Sequence, residues 1–289
     1  MNLLDKLVTQ ALTGREEMLP LRTAVEKELL HHDILREMSD AGLLKDLTFI
    51  GGTCLRAVYG SQRLSEDLDF SGGRDFDRKQ LFDLGSLLVD RLQTKYGLLV
   101  EVTDPQKETG NVSTWKMKVI THPQSRHLPA QKINLDICAV PSYERCPRLL
   151  RNHYGVEMGT TGLVIQAESL GEIMADKLLA FALRPNRIKN RDLWDLAWLK
   201  QQGVTPAPGL LLKKIADYQC HVDDYLKLYN HRLRAMSEEP AVQKEFNFEM
   251  QRFLPQGLIW KRVQDENFWP CLVQLMASEL KSQAEDSTL

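Results

Sequence analysis

Asp67 and Asp69 stand two positions apart in the string FIGGTCLRAVYGSQRLSEDLDF, from Phe49 to Phe70. On an extended strand alternate side chains share a face, so both carboxylates point one way while Leu68 and Phe70 point into a core. Two carboxylates on one rigid strand offer the hard oxygen ligands that Mg²⁺ prefers. A pair of aspartates can also simply cap a surface turn. Upstream, Gly51, Gly52 and Thr53 read as a turn opening a helix, where backbone N–H groups and a hydroxyl can receive phosphate. Arg56, on that helix, and Arg63, ahead of the aspartates, are suited to bidentate phosphate contacts. An ion pair with Glu66 or Asp67 is their plainer use. Together these residues point to a site for a nucleoside triphosphate (NTP) and its metal.

A later strand, KINLDICAV, turns Ile133, Leu135, Ile137 and Ala139 to one face and Asn134, Asp136 and Cys138 to the other. An aspartate in so apolar a strand is costly unless a metal, another strong partner or solvent meets it. A second constellation lies in AESLGEIMADKLLAFALRPNRIKNRDLWDLAWL. Ser169 and Glu172 fit a capping box, and Leu170, Met174, Leu178 and Phe181 form a buried stripe. Lys177 is expected at the edge of that stripe, able to snorkel and to neutralise a triphosphate across a domain junction. Asp192 falls in the first turn of the next helix, where a negative charge is favoured. Capping, or ion pairing with Arg187, Lys189 or Arg191, explains Asp192 and Asp195 as well as chemistry does. Trp194 and Trp198 read as core, and His31-His32 as surface.

The order Gly-Thr, then Asp-Leu-Asp-Phe, resembles the signature of polymerase-β-like nucleotidyltransferases. The fuller string, GGTCLR followed by Arg63 and SEDLDF, is similar to that of the AbiEii/AbiGii toxins, the toxin half of type IV toxin–antitoxin and phage-defence systems. The Lys177 and Asp192–Asp195 helices match the same family, and the resemblance runs from about Leu47 to Leu199. It implies attack of an acceptor on the α-phosphorus of an NTP, with Asp67, Asp69 and Asp136 as metal ligands for Mg²⁺. Gly51, Gly52 and Thr53 would bind phosphates. Lys177 and Asp192 would be needed for activity, Lys177 by offsetting charge on the leaving group. The implied acceptor is the 3′ end of tRNA, blocking translation, and the implied partner is an antitoxin encoded nearby. Nucleotidyl transfer to a protein or small molecule, or a non-catalytic nucleotide-binding relative, stay open, since one fold hosts several reactions.

The rest of the chain must position these groups. Its 289 residues, 43% hydrophobic, suffice for one large or two ordinary domains. Mean hydropathy is −0.32, and no apolar run approaches the roughly 20 residues of a membrane helix. Five scattered cysteines without a CxxC suggest neither zinc nor disulfides and fit a reducing cytoplasm. Net charge of −2 gives no general attraction to nucleic acid, so Arg145, Arg148 and Arg151, or Arg184, Arg187, Lys189 and Arg191, must act as local patches or remain solvated surface. Helical pattern over 1–46 and 76–96 and strands at 47–50, 98–103, 112–121 and 131–140, with Gly110 among the breaks, predict an α/β (α+β) core with a mixed sheet. The polymerase-β-like domain is placed at 1–160. Helices at about 168–183, 190–201, 210–236, 240–254 and 266–283 predict an all-helical domain at 161–289.

Overall fold

The computed structural model describes residues 2–105, 111–124 and 129–286; Gly110 lies outside them. The chain divides into two compact units, Met1–Glu168 and Ser169–Leu289.

The first unit opens with α1 (Leu3–Leu12), a 3₁₀ turn at Glu16–Leu21 and α2 (Arg22–Asp40). Pro20 lies in the 3₁₀ turn, just ahead of α2. Then follow β1 (Thr48–Ile50), α3 (Gly51–Cys54), which runs on as a π turn over Leu55–Tyr59, and β2 (Leu68–Ser71). The α4 helix (Leu84–Tyr96) buries Leu84, Leu88, Leu92 and Tyr96, every fourth residue. Its expected start at 76 is instead a loop and a 3₁₀ turn at Arg78–Leu81. The remaining strands are β3 (Val100–Thr103), β4 (Val112–Val119), β5 (Gln131–Cys138), β6 (Arg145–Leu149) and β7 (Val164–Glu168).

Among the described residues the strands form one mixed sheet, in the order β3-β4-β5-β2-β1-β7-β6. β2 runs parallel to β5 and antiparallel to β1. Alternation decides the faces of β5: Gln131, Ile133, Leu135 and Ile137 are buried, while Asn134, Asp136 and Cys138 are half-buried. Two strands depart from expectation. Residues 141–162 read as a Pro/Gly/Arg boundary, yet Arg145–Leu149 pair with β7, and Pro147 is tolerated because β6 is the sheet's edge. Residues 164–168, expected within the helical domain, supply β7.

The second unit is helical: α5 (Leu170–Leu183), α6 (Asn190–Gln201), α7 (Leu210–Asp217), α8 (Val222–Glu238), α9 (Pro240–Met250), α10 (Gln256–Leu258) and α11 (Phe268–Asp286). Ser169 caps α5 through the Glu172 N–H at 3.0 Å, as its capping box predicts. The single helix expected over 210–236 is two, broken where Gln219 takes φ +54°.

Candidate active site

In the parallel β2–β5 pair, Asp69 lies in register with Asp136, and Leu68 with Leu135. Paired residues share a face, so the two acids stand together while the leucines enter the core. Asp67 precedes Asp69 by two residues and falls on the same side. All three acids are half-buried. The Asn134 N–H donates to Asp67 Oδ1 at 3.0 Å, and the Thr114 hydroxyl donates to Asp136 Oδ1 at 2.6 Å.

The glycine turn packs directly on this face. Gly51 has φ +75°, and a Cβ there would lie 2.9 Å from Asp69 Oδ2. A Cβ on Gly52 would lie 2.4 Å from Arg63 Nη2. Both glycines therefore leave room for a functional side chain, and Gly51 also needs the left-handed backbone. Arg63 is buried beside the turn, and its Nη1 donates to the Leu64 carbonyl at 2.9 Å. Thr53 departs from expectation. Its hydroxyl is buried, bonded to the Asp67 carbonyl and 2.7 Å from Ser65 Oγ, so it braces the aspartate segment instead of reaching outward. Arg56 is also turned inward. It pairs with Glu28 at 3.2 Å and donates to the Ser61 carbonyl, and Glu28 replaces the sequence-proposed partners Glu66 and Asp67. Burial disfavours the charged Arg56, but Glu28 more than restores it and raises its pKa.

In the second unit Lys177 is not a snorkelling edge residue. It is buried, and its Nζ lies 2.7 Å from both Asp192 Oδ1 and Asp195 Oδ2. The cause is local: residues 192 and 195 are one turn apart on α6 and present two carboxylates on one face. Burial alone would raise the Asp192 pKa, but Lys177, Lys189 and Arg184 outweigh it and hold the carboxyl far below its ordinary range. Arg184 lies 3.5 Å from Asp192; of the candidate ion-pair partners Arg187, Lys189 and Arg191, Lys189 acts on Asp192 through its charge, and Arg191 pairs with Glu249 at 3.3 Å. Trp194 is core, as read, and Trp198 half-buried.

A family model for the nucleotidyl transferase AbiEii toxin of type IV toxin–antitoxin systems matches residues 33–266. The chain belongs to the AbiEii nucleotidyl transferase toxin family. Among solved structures it is similar to MenT4, a nucleotidyltransferase toxin from Mycobacterium tuberculosis H37Rv. That likeness has TM-score 0.55 and 18% identity, over 97% of each chain, and it bears on fold alone. JHP933 from Helicobacter pylori aligns at TM-score 0.48 and 20% identity, over 92% of this chain and 96% of that one. No curated protein matches the chain.

This AbiEii-family enzyme is thus a nucleotidyltransferase of the toxin–antitoxin class, whose substrate is an NTP and whose family implies an antitoxin partner. Nucleotidyltransferases generally use a divalent metal, and three carboxylates on one face with a glycine turn against Asp69 suit one. Their oxygens are not drawn into a single-ion cage. Among the described residues, the His/Asp/Glu set with donor atoms all within 4.8 Å is Asp5, Glu26 and His122. There, however, His122 Nε2 lies 3.1 Å from Glu26 Oε1 and Arg22 reaches Asp5 at 3.4 Å, so these groups already partner one another and Arg22. Ligands that clamp two ions about 3.5–4 Å apart span more space than a one-ion cage. Three residues past Asp136, Ala139 borders a polar cavity of about 470 Å³, lined also by Arg78, Lys79, Asn111 and Ser113. Sequence reasoning missed Asn134 and Thr114, whose only signal is their register beside the acids. It also placed His31 and His32 on the surface, although both are buried. No helix of the described residues is long and apolar enough to cross a membrane.

Proposed function

We propose that this enzyme is metal-dependent, uses Mg²⁺, and transfers a nucleoside monophosphate from an NTP to the 3′ end of tRNA, blocking translation in the cytoplasm as part of phage defence. The observation that carries the metal site is the register of Asp69 beside Asp136, with Asp67 on the same face. In this reading the three carboxylates would hold the ions, which would supply Lewis-acid stabilisation of the charge that develops at the reacting phosphate. Asp136 also helps take the acceptor's proton. The N–H groups of Gly51, Gly52 and Thr53 receive the terminal phosphates. Arg63, held against Gly52, supplies positive charge under them, and Arg56 supports the turn from inside. Lys177 and Asp192 are required for activity, as the family resemblance implies.

The acceptor class rests on the resemblance and on basic side chains. Arg145, Arg148 and Arg151 are exposed on or just after the edge strand β6. The deciding experiment is incubation of the purified enzyme with total tRNA, Mg²⁺ and each labelled NTP in turn. The expected result is a label on tRNA that is lost in Asp69→Asn. Label on the protein or on a small molecule would replace the acceptor, and no label with any NTP would leave a non-catalytic nucleotide-binding relative. An antitoxin is expected to be encoded nearby.

A further inference from the structure

Asp67 lies one residue ahead of β2, outside the strand that carries the other two acids' register. Its carbonyl is held by Thr53 and its carboxylate by the Asn134 N–H. The two residues before it are held from α2. His31 Nε2 lies 3.0 Å from the Glu66 carbonyl. A carbonyl only accepts, so Nε2 carries the proton. Lys27 Nζ bonds Glu66 Oε1 at 3.0 Å, and Glu28 Oε1 accepts the Ser65 N–H at 3.1 Å. Glu28 is itself fixed by Arg56 at 3.2 Å and by the Tyr154 hydroxyl. Lys27 and His31 are four apart and share one helix face. Glu28 and His31 are buried. Polar side chains so buried on a helix are retained at a desolvation cost, and here both, with the half-buried Lys27, meet one short segment.

We propose that α2 is the positioning clamp of the metal site: Glu28 and His31 fix the backbone of Ser65 and Glu66, Lys27 holds the Glu66 side chain, and together they aim the Asp67 carboxylate. The three touch neither metal nor nucleotide and act through Asp67. The inference rests on reading Asp67 as a metal ligand. Residues that orient a ligand from behind commonly cost about 10–100-fold in metal affinity when removed.

The test uses the full chain and Mn²⁺, whose binding is read by electron paramagnetic resonance without any reaction. His31→Leu removes the donor, and His31→Gln restores an N–H. Lys27→Met, at a partly exposed position, decides if His31→Leu does not fold. The expected result is about tenfold or more weaker Mn²⁺ binding in His31→Leu, weaker binding in Lys27→Met, and recovery of most of the affinity in His31→Gln. Turnover should fall through kcat, with KM for NTP nearly unchanged. Wild-type Mn²⁺ affinity in folded His31→Leu or in Lys27→Met would overturn the clamp. So would a His31→Gln protein as weak as His31→Leu, which would make the role one of packing. Asp67→Asn separates the two levels. If it binds Mn²⁺ like the wild type, the metal reading itself fails. If it loses the ion while the α2 variants keep it, only the clamp fails.

Discussion

Asp69 stands in register with Asp136 and against Gly51, so like charges share one face of the sheet. Neighbouring carboxylates repel unless a cation offsets them. Asp69→Asn should therefore melt at the same temperature as the wild type or higher, while nucleotidyl transfer is lost. A lower melting temperature would mean that Asp69 is structural. A different kind of residue bears on stability in acid. Burial pushes the His32 pKa down from 6.5 to about 4, with Glu28 opposing and His31 reinforcing the shift, and His32 Nδ1 lies 2.9 Å from Thr160 Oγ1. Above pH 6.5 His32 is neutral folded and unfolded. Between 6.5 and 4 the unfolded chain binds a proton that the folded chain does not, so stability falls as pH falls, at up to about 1.4 kcal/mol per pH unit for one site. Burial lowers the pKa values of His31 and His153 too, so a melting series from pH 7.5 to 4.5 should decline steeply. His32→Asn should flatten that decline, and an unchanged slope would remove His32 from this role.

At the scale of elements, the glycine turn between β1 and α3 and the α5–α6 pair each make a prediction. Gly51→Ala adds a Cβ at φ +75° and 2.9 Å from Asp69 Oδ2. The left-handed backbone alone costs about 1–2 kcal/mol, and the displaced carboxylate should cost transfer activity beyond that stability loss. Activity that tracks the folded fraction alone would count against the contact. On α5, Lys177 is the cation of a buried triad with Asp192 and Asp195. Lys177→Met removes the cation that two buried carboxylates share, though Asp192 keeps Arg184 at 3.5 Å, and should cost up to about 3–5 kcal/mol. The triple variant Lys177→Met/Asp192→Asn/Asp195→Asn should recover much of that. A wild-type melting temperature in Lys177→Met would refute the triad. These elements also show what the sequence makes legible. The β2 and β5 carboxylates follow from period-two alternation, and α5 from its capping box, because both signals are local. Lys177 was misplaced because its two partners lie on another helix. Likewise His31 and His32 read as surface, yet with Glu26, Glu28 and Asp33 they are buried on α2 against partners remote in sequence, such as Ser65, Thr160 and Gln131. Pairing across the fold overrides what a helical wheel suggests.

For the whole molecule, a net charge of −2 gives no general attraction to RNA, so the proposed tRNA acceptor would have to be held by local arginines. The β6 edge is separated from β2 by β7 and β1, roughly 14 Å at about 4.8 Å per strand step. An arginine there can grip backbone phosphates of an acceptor whose end reaches the acids, without entering their site. Arg148 stacks over the Tyr59 ring at 5.7 Å, and a Cβ on Gly60 would meet Arg151 Nη1 at 2.5 Å, so both arginines start from defined positions beside the helix that follows the glycine turn. If tRNA is the acceptor, its binding should weaken steeply with salt, with a log–log slope of about −0.7 per phosphate neutralised on a single strand. Arg148→Glu/Arg151→Glu should make that slope shallower, by about 0.7 for each phosphate no longer held, and impair tRNA modification. Mg²⁺–NTP binding, measured by calorimetry, should stay at the wild-type value, because neither arginine belongs to the proposed nucleotide site. Equal modification of tRNA by the double variant would clear the β6 patch of any role and leave the arginines a solvated edge. Loss of NTP binding as well would mean that the substitutions disturb the turn next to Tyr59 and Gly60, and that the edge strand matters to the nucleotide and not to RNA.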